Sequence, residues 1–371
     1  MTDGYQRSID GLRGLAILLV IMFHCDVAYF GWTGVVLFFV LSGYLITKVL
    51  WTEKEKSTLL KIKFRNFWMR RVLRIFPLYY LYLLILLVFL LLKWVPQLTG
   101  PEMPWLFTYT YNFYLINVYD LKEPSFLAGH LWSLSIEEQF YLIYPFLIFF
   151  FKRKQLKVAI VALIIFSVLF RIFYSSYPGN SSAYLDYHPF SYLDSFLCGA
   201  AIFIFRLERL RTSVGYLIFI FCALLTLTGG LFIYMDVNQN QDFYFTNYLS
   251  SFGIEAHYTK NFYRVWGLIQ LNLFFSALLL LILLPGKDRF LLWFKRIFEI
   301  KPIVSIGKVS YGMYVFHAII IWWLTDIFSY GNRSMNKYVF CLLCTVVIWL
   351  VSLLVYHLYE KRFLLLKEKF R

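Results

Sequence analysis

"SIDGLRGLAILLVIMFHCDVAYF", residues 8–30, decides the fold class of this chain. The run is long enough to cross a bilayer, which takes about 20 predominantly apolar residues. Yet it carries Asp10, Arg13 and His24. A charged side chain at the centre of a membrane helix costs roughly 3 kcal/mol on insertion scales, and such residues are retained mostly where they pair or perform chemistry. Comparable apolar runs recur over 32–51, 75–95, 131–151, 158–175, 191–206, 214–234, 265–285, 306–327 and 338–358. The expectation is an all-α polytopic integral membrane helix bundle of about ten transmembrane helices.

Composition agrees with the patterning. Of 371 residues, 60% are apolar and only 15% charged, against about a quarter charged in soluble domains. No polar interval is long enough to bury a core of its own, so residues 1–371 read as one membrane domain. The net charge of +15 does not point to nucleic acid, because the basic residues cluster between spans. With residues 104–118 taken as re-entrant or interfacial, Arg7, Arg13, Lys48, Lys308 and the runs in 54–74, 152–157, 206–211, 287–301 and 361–371 fall on one side. That side holds 29 of the 36 Lys and Arg, against six outside (Lys93, Lys122, Lys260, Arg264, Arg333, Lys337), with Arg171 inside a span. Positive charge marks the cytoplasmic side, so both termini are expected there. The multi-pass chain is then expected in the cell membrane, the inner one if bacterial.

The first apolar run is full length and preceded by charged residues, so no cleavable signal is expected. The five cysteines all lie in apolar runs, and the Cys341–Cys344 CxxC sits inside one, which reads as packing rather than metal or redox chemistry. No metal is expected. The basic loop over 52–74 is amphipathic at helical spacing, suited to the membrane surface or to a phosphate-rich ligand. The 235–264 interval is a polar outer loop.

Arg13 and His24 are eleven residues apart, three turns to within about 20°, so they share one helix face at roughly 16 Å along the axis. Asp10 lies one turn before Arg13 and can pair with it. Taken alone, Arg13 reads as a snorkelling side chain and His24 as a packed one. Several polar groups in the same membrane shift the reading to function. "GHLWSLSIEEQFYLIYPFL" adds Glu137 and Glu138, of which one is expected to face outside water. "SYGMYVFHAIIIWW" adds His317, and "SYLDSFLCGAAIF" adds Asp194. Arg171 reads equally well as snorkelling outward, and Asp26 as an outer-end charge.

A neutral imidazole in this setting can take the proton of a sugar hydroxyl as it attacks an acyl carbonyl, with a carboxylate to orient the ring, a contribution of roughly 10²–10⁴ in rate. Arg70, Arg71 and Arg74 suit phosphate groups, for which planar bidentate donors outperform lysine.

Five stretches together resemble the acyltransferase-3 family of integral membrane acyltransferases. "IDGLRGLAILLVIMFH" is similar to its R-x10-H pattern with Arg13 and His24, and "GVVLFFVLSGYLIT" to its second span with Ser42 and Gly43. "MRRVLRIFPLYY" resembles its RxxR before a proline, on Arg71, Arg74 and Pro77. "LWSLSIEEQFYLIYP" places Glu137 at the family glutamate, and "SYGMYVFH" resembles the late element ending at His317. Two departures stand out. The family's Glu-x-Pro-Phe becomes "YEKRF", with Arg362 in the proline position after Glu360, and Tyr192 and Leu193 precede Asp194 where the family has an arginine.

The resemblance implies transfer of an acyl group, acetyl by default, from cytoplasmic acyl-CoA to a hydroxyl of a cell-surface or lipid-linked glycan. It implies no permanently bound cofactor, with acyl-CoA, the saccharide and membrane lipid as partners. His24 would be the base, Glu137 its orienting partner, and Arg13, fixed by Asp10, the inner end of the donor channel. Arg71 and Arg74, with Arg70, would bind the phosphates of CoA. Ser42, Glu138, His317, Asp194 and Glu360 are further candidates. Some relatives carry a fused extracellular hydrolase-like domain, and none is expected within these 371 residues. The competing reading is a glycan or lipid transporter or flippase, which should show paired repeats and usually more helices. A polysaccharide ligase would rely on large basic outer loops.

Overall fold

The computed structural model describes residues 7–94, 100–118, 121, 124–176, 181–237, 261–286, 288–329 and 335–370. Most of the expected 235–264 loop lies outside the described residues. Among the described residues there is no strand. The helices are α1 (Arg7–His24), α2 (Thr33–Glu55), α3 (Leu60–Leu91), α4 (Met103–Phe107), α5 (Tyr111–Val118), α6 (Phe126–Gly129), α7 (Leu131–Phe150), α8 (Arg153–Ser175) and α9 (Ser181–Tyr187). They continue with α10 (Leu193–Ile204), α11 (Thr212–Val237), α12 (Asn261–Leu283), α13 (Arg289–Phe298), α14 (Lys301–Lys308), α15 (Ser310–Ser329), α16 (Lys337–Val355) and, after a π-helical turn Tyr356–Glu360, α17 (Lys361–Leu366).

Seven helical segments among the described residues are long and apolar enough to cross a membrane, including Leu60–Leu91, Arg153–Ser175 and Lys337–Phe370. The chain is a polytopic membrane protein built of helices. Of the ten expected spans, 11–30, 131–151 and 191–206 are not among these seven, and the expected basic loop differs as well. The helix at 193–204 has 12 residues, short of the roughly 20 a full crossing needs. The stretch 52–74 is not a loop: α2 runs to Glu55, and α3 begins at Leu60 and continues unbroken to Leu91. The basic residues of 61–74 therefore sit on the first turns of a 32-residue helix. Residues 104–118 fall in α4 and α5, each too short to cross.

The helices group into two compact units, each assembled from separated segments. One comprises Met1–Thr47, Arg153–Tyr177 and Tyr192–Ser310, the other Lys48–Lys152, Pro178–Ser191 and Tyr311–Arg371. In the first unit α1 packs on α13 and α14, α8 on α10, and α11 on α12. Without a hydrophobic driving force between helices in lipid, close backbone approach at small residues supplies the attraction. That device recurs here. A Cβ on Gly43 would lie 1.8 Å from the Phe196 carbonyl oxygen, and one on Gly199 1.9 Å from that of Val40, so α2 and α10 meet backbone to backbone. Gly307 of α14 meets the Asp10 carbonyl in the same way, at 1.7 Å.

α8 shows how a membrane helix inverts the soluble pattern. Val158, Val161, Ile165, Leu169 and Ile172 form an exposed apolar stripe, while Leu156, Ile160, Ser167 and Arg171 are buried. Polar residues turn inward because lipid offers them no hydrogen bonds. In the second unit α5 packs on α7 and α9, and α3 on α4, α7 and α17.

Candidate active site

In the first unit, α1 presents the polar stripe its spacing predicts. Arg13 Nη1 donates to Asp10 Oδ1 at 3.0 Å, one turn apart, and Asp10 is buried. His24 ends the helix, and its Nδ1 lies 2.9 Å from the Val20 carbonyl oxygen. A carbonyl can only accept, so Nδ1 carries the proton and Nε2 is the basic nitrogen of the neutral ring. The chain turns directly after it: Asp26 adopts φ 55°, in the left-handed region. Ser42 is half-buried and adjoins Gly43, the residue at which α2 meets α10.

Asp194 receives its arginine from another helix. Arg171 Nη1 and Nη2 donate to Asp194 Oδ1 and Oδ2 at 2.7 and 2.6 Å, and Ser167 Oγ donates to Oδ1 at 3.1 Å. Arg171 is 0% exposed, so it does not snorkel. An unpaired charge there would be far costlier than the pair, which accounts for the bidentate geometry.

In the second unit, the three arginines of "MRRVLR" part company. Adjacent helical residues point about 100° apart. Arg70 is buried in an ion pair with Glu53 at 2.8 Å, and its Nη1 donates to the Phe370 carbonyl at 3.1 Å. Glu53 also accepts from Lys56 and Asn66. Arg70 is thus committed to the structure. Arg71 instead lies over the Phe67 and Tyr141 rings, at 5.9 and 5.7 Å, within electrostatic range of Arg74, Glu137 and Glu138. Glu360, buried at the end of the π-helical turn, lies within electrostatic range of Arg74.

The glutamates of α7 divide as well. Glu137 accepts the Tyr141 hydroxyl one turn on. Both glutamates are half-buried, and Glu138 Oε1 is buried with no hydrogen-bond partner among the described residues. The same holds for Arg71 Nε and Tyr109 Oη. Tyr109 sits between α4 and α5 with φ 54°, its ring stacked on Tyr79 at 4.1 Å. Gln139 holds it there by donating to its carbonyl at 2.9 Å. Tyr109 and Tyr311 interact electrostatically with Glu138 and with each other. Buried polar atoms are almost always satisfied. Arg71 Nε, Glu138 Oε1 and Tyr109 Oη, from α3, α7 and the α4–α5 corner, thus leave donors and an acceptor open to a polar ligand.

His317 is fully buried, its Nδ1 2.6 Å from the Tyr314 carbonyl, and its ring centroid is 4.6 Å from that of His130. Tyr314 Oη donates to the His130 carbonyl at 3.0 Å and lies against Ser133 Oγ. Sequence reasoning missed His130, Tyr109, Tyr311 and Tyr314. His130, Tyr311 and Tyr314 lie within stretches already singled out, so polar residues inside those motifs were the signal to follow. Tyr109 had none, since nothing in "FTYTYNF" marks which tyrosine adopts a left-handed backbone.

The acyltransferase domain family matches residues 6–356. The peptidoglycan O-acetyltransferase OatA of Listeria monocytogenes serovar 1/2a is 31% identical over 359 residues, covering 93% of this chain and 54% of that protein. The O-acetyltransferase OatA of Staphylococcus aureus strain NCTC 8325 is 27% identical over 371 residues, covering 94% and 56%. A putative O-acetyltransferase of S. aureus strain MSSA476 is 27% identical over 368 residues, covering 92% and 55%. The chain thus spans about half the length of the curated relatives it matches. No solved structure matches it.

Proposed function

Because this chain belongs to the acyltransferase domain family, we propose that it is a membrane O-acyltransferase, taking an acyl group from acyl-CoA and placing it on a glycan hydroxyl. Acetyl is the assigned group, and a peptidoglycan-type saccharide the assigned acceptor, by similarity to the relatives named above. The proposed topology has both termini cytoplasmic, in keeping with the distribution of Lys and Arg.

The observation that carries the chemistry is the His24 ring, whose Nδ1–H is held by the Val20 carbonyl on the helix that bears the Arg13–Asp10 pair. His24 Nε2 takes the acceptor's hydroxyl proton as that oxygen bonds to the thioester carbonyl carbon. The tetrahedral intermediate collapses with cleavage of the C–S bond, and the proton passes to the departing thiolate to give CoA and the ester. Such base catalysis supplies roughly 10²–10⁴ in rate. Glu137 is assigned the carboxylate that favours the imidazolium, an assignment carried by the sequence pattern. Arg13 is assigned the inner end of the donor path. Arg71 and Arg74 are assigned the CoA phosphates, supported by Arg71 forming no ion pair among the described residues, whereas Arg70 is paired with Glu53. A guanidinium suits phosphate oxygens bidentately.

The test uses inside-out membrane vesicles, radiolabelled acetyl-CoA and a glycan acceptor fraction at matched expression. Label should enter glycan with the wild type and vanish with His24→Ala. Equal transfer by His24→Ala would overturn the mechanism, and uptake of glycan without consumption of acetyl-CoA would overturn the activity.

A further inference from the structure

α13, "RFLLWFKRIF" over Arg289–Phe298, is too short to cross a membrane and begins six residues after the span α12 ends. Its start is fixed. Asp288 caps it by accepting from Leu291 N–H at 3.0 Å and also accepts the Tyr216 hydroxyl. At 100° per residue, Leu291, Lys295 and Phe298 share one side. That side faces protein: Leu291 is fully buried, Lys295 donates to the Leu284 carbonyl, and the Phe298 backbone lies against Gly11 of α1.

The opposite side carries Arg289, Leu292, Trp293 and Arg296, flanked by Phe290. Phe290, Leu292 and Trp293 are 55%, 41% and 58% exposed. Arg289 and Arg296 lie two turns apart, roughly 10 Å along the axis, with Trp293 between them. Among the described residues neither arginine side chain forms a hydrogen bond or an ion pair. The helix therefore presents guanidinium, indole, guanidinium in a row, held rigidly by its inner side.

We propose that α13 lies in the membrane–water interface and docks anionic phospholipid headgroups, with Trp293, Leu292 and Phe290 seated at the acyl boundary and Arg289 and Arg296 on the phosphates. Indole rings favour the headgroup level. Arginine binds phosphate oxygens through paired N–H donors. A zwitterionic headgroup would leave the two positive charges only partly balanced, so charge complementarity selects the anionic lipid. The inner side of α13 grips α1 at Gly11, so the docked helix is rigidly tied to the helix bearing Arg13 and His24.

The experiment reconstitutes the full chain in vesicles containing brominated phosphatidylglycerol or brominated phosphatidylcholine at equal mole fraction. The Trp293 contribution to fluorescence quenching is taken as the difference between wild type and Trp293→Phe. Phosphatidylglycerol should quench that contribution at least about three-fold more effectively, as expected for two arginines at an anionic surface. The preference should disappear in Arg289→Gln/Arg296→Gln and shrink at high salt. Equal quenching by both lipids would reduce α13 to an apolar anchor and overturn the proposal. Absence of Trp293 quenching in either lipid would take the helix out of the interface and overturn it as well. Gel filtration of each variant in detergent separates these outcomes from misfolding.

Discussion

Arg171 of α8 and Asp194 of α10 meet through two charge-assisted hydrogen bonds, 2.7 and 2.6 Å long, with the guanidinium entirely removed from the surface. Removing one partner of a buried pair strands the other. Arg171→Met should therefore destabilise the protein by about 3–5 kcal/mol. Arg171→Met/Asp194→Leu, which leaves no buried charge, should recover most of the loss. Thermal unfolding in detergent checks both, and a double variant no better than the single would refute the account.

Two glycines in quoted motifs should behave oppositely. Gly43→Ala forces a methyl group to 1.8 Å from the Phe196 carbonyl oxygen, so α2 and α10 must separate, at a cost of about 1–3 kcal/mol. Gly312→Ala meets nothing nearer than 3.4 Å, at Ser352 Cβ. Inside α15 it should be neutral or stabilise by about 0.5–1 kcal/mol through helix propensity. The midpoints of the two melting curves, compared with wild type, decide the matter.

Neighbouring arginines should separate binding from stability. Arg70→Gln breaks the ion pair to Glu53 and should lower the melting temperature with little change in KM for acyl-CoA. Arg71→Gln should leave the melting temperature nearly unchanged and raise that KM about ten-fold, equivalent to ~1.4 kcal/mol. Arg71→Lys should not restore it, because a point charge lacks the planar fork. Steady-state kinetics at varied acyl-CoA distinguishes the pair.

Acid should weaken the protein at His188. Burial depresses its pKa from 6.5 to about 4, and its Nδ1 accepts the Phe190 N–H at 3.2 Å, which requires the neutral ring. Above pH 6.5 neither the folded nor the unfolded state binds the proton, and the full contribution is present. As pH falls from about 6.5 to 4 only the unfolded chain takes it up, so stability is lost across that window. His188→Phe should flatten this part of the stability–pH profile, measured as melting temperature against pH. An unchanged slope would exclude His188 as its source.

The sequence by itself determined that the chain lives in a bilayer, that it is helical, and which polar residues interrupt its apolar runs. Length, hydropathy and the 3.6-residue repeat are local properties, and lipid leaves a spanning backbone little alternative to the helix. The same local geometry foretold the Asp10–Arg13 pair, one turn apart on a single helix. Partnerships between helices were not legible. Asp194 lacks the arginine expected just before it and receives one from 23 residues upstream on α8. Arg70 and Arg71 read alike in sequence, yet one is bound to Glu53 and the other left over Tyr141. Tyr109, Glu138 and Arg71 stand far apart along the chain, and only packing gathers their unsatisfied atoms. Tertiary structure decided these matters because helix periodicity specifies which side of a helix a residue occupies. What it faces depends on how closely the next helix approaches, set at the scale of a single methyl group by residues such as Gly43, Gly199 and Gly307.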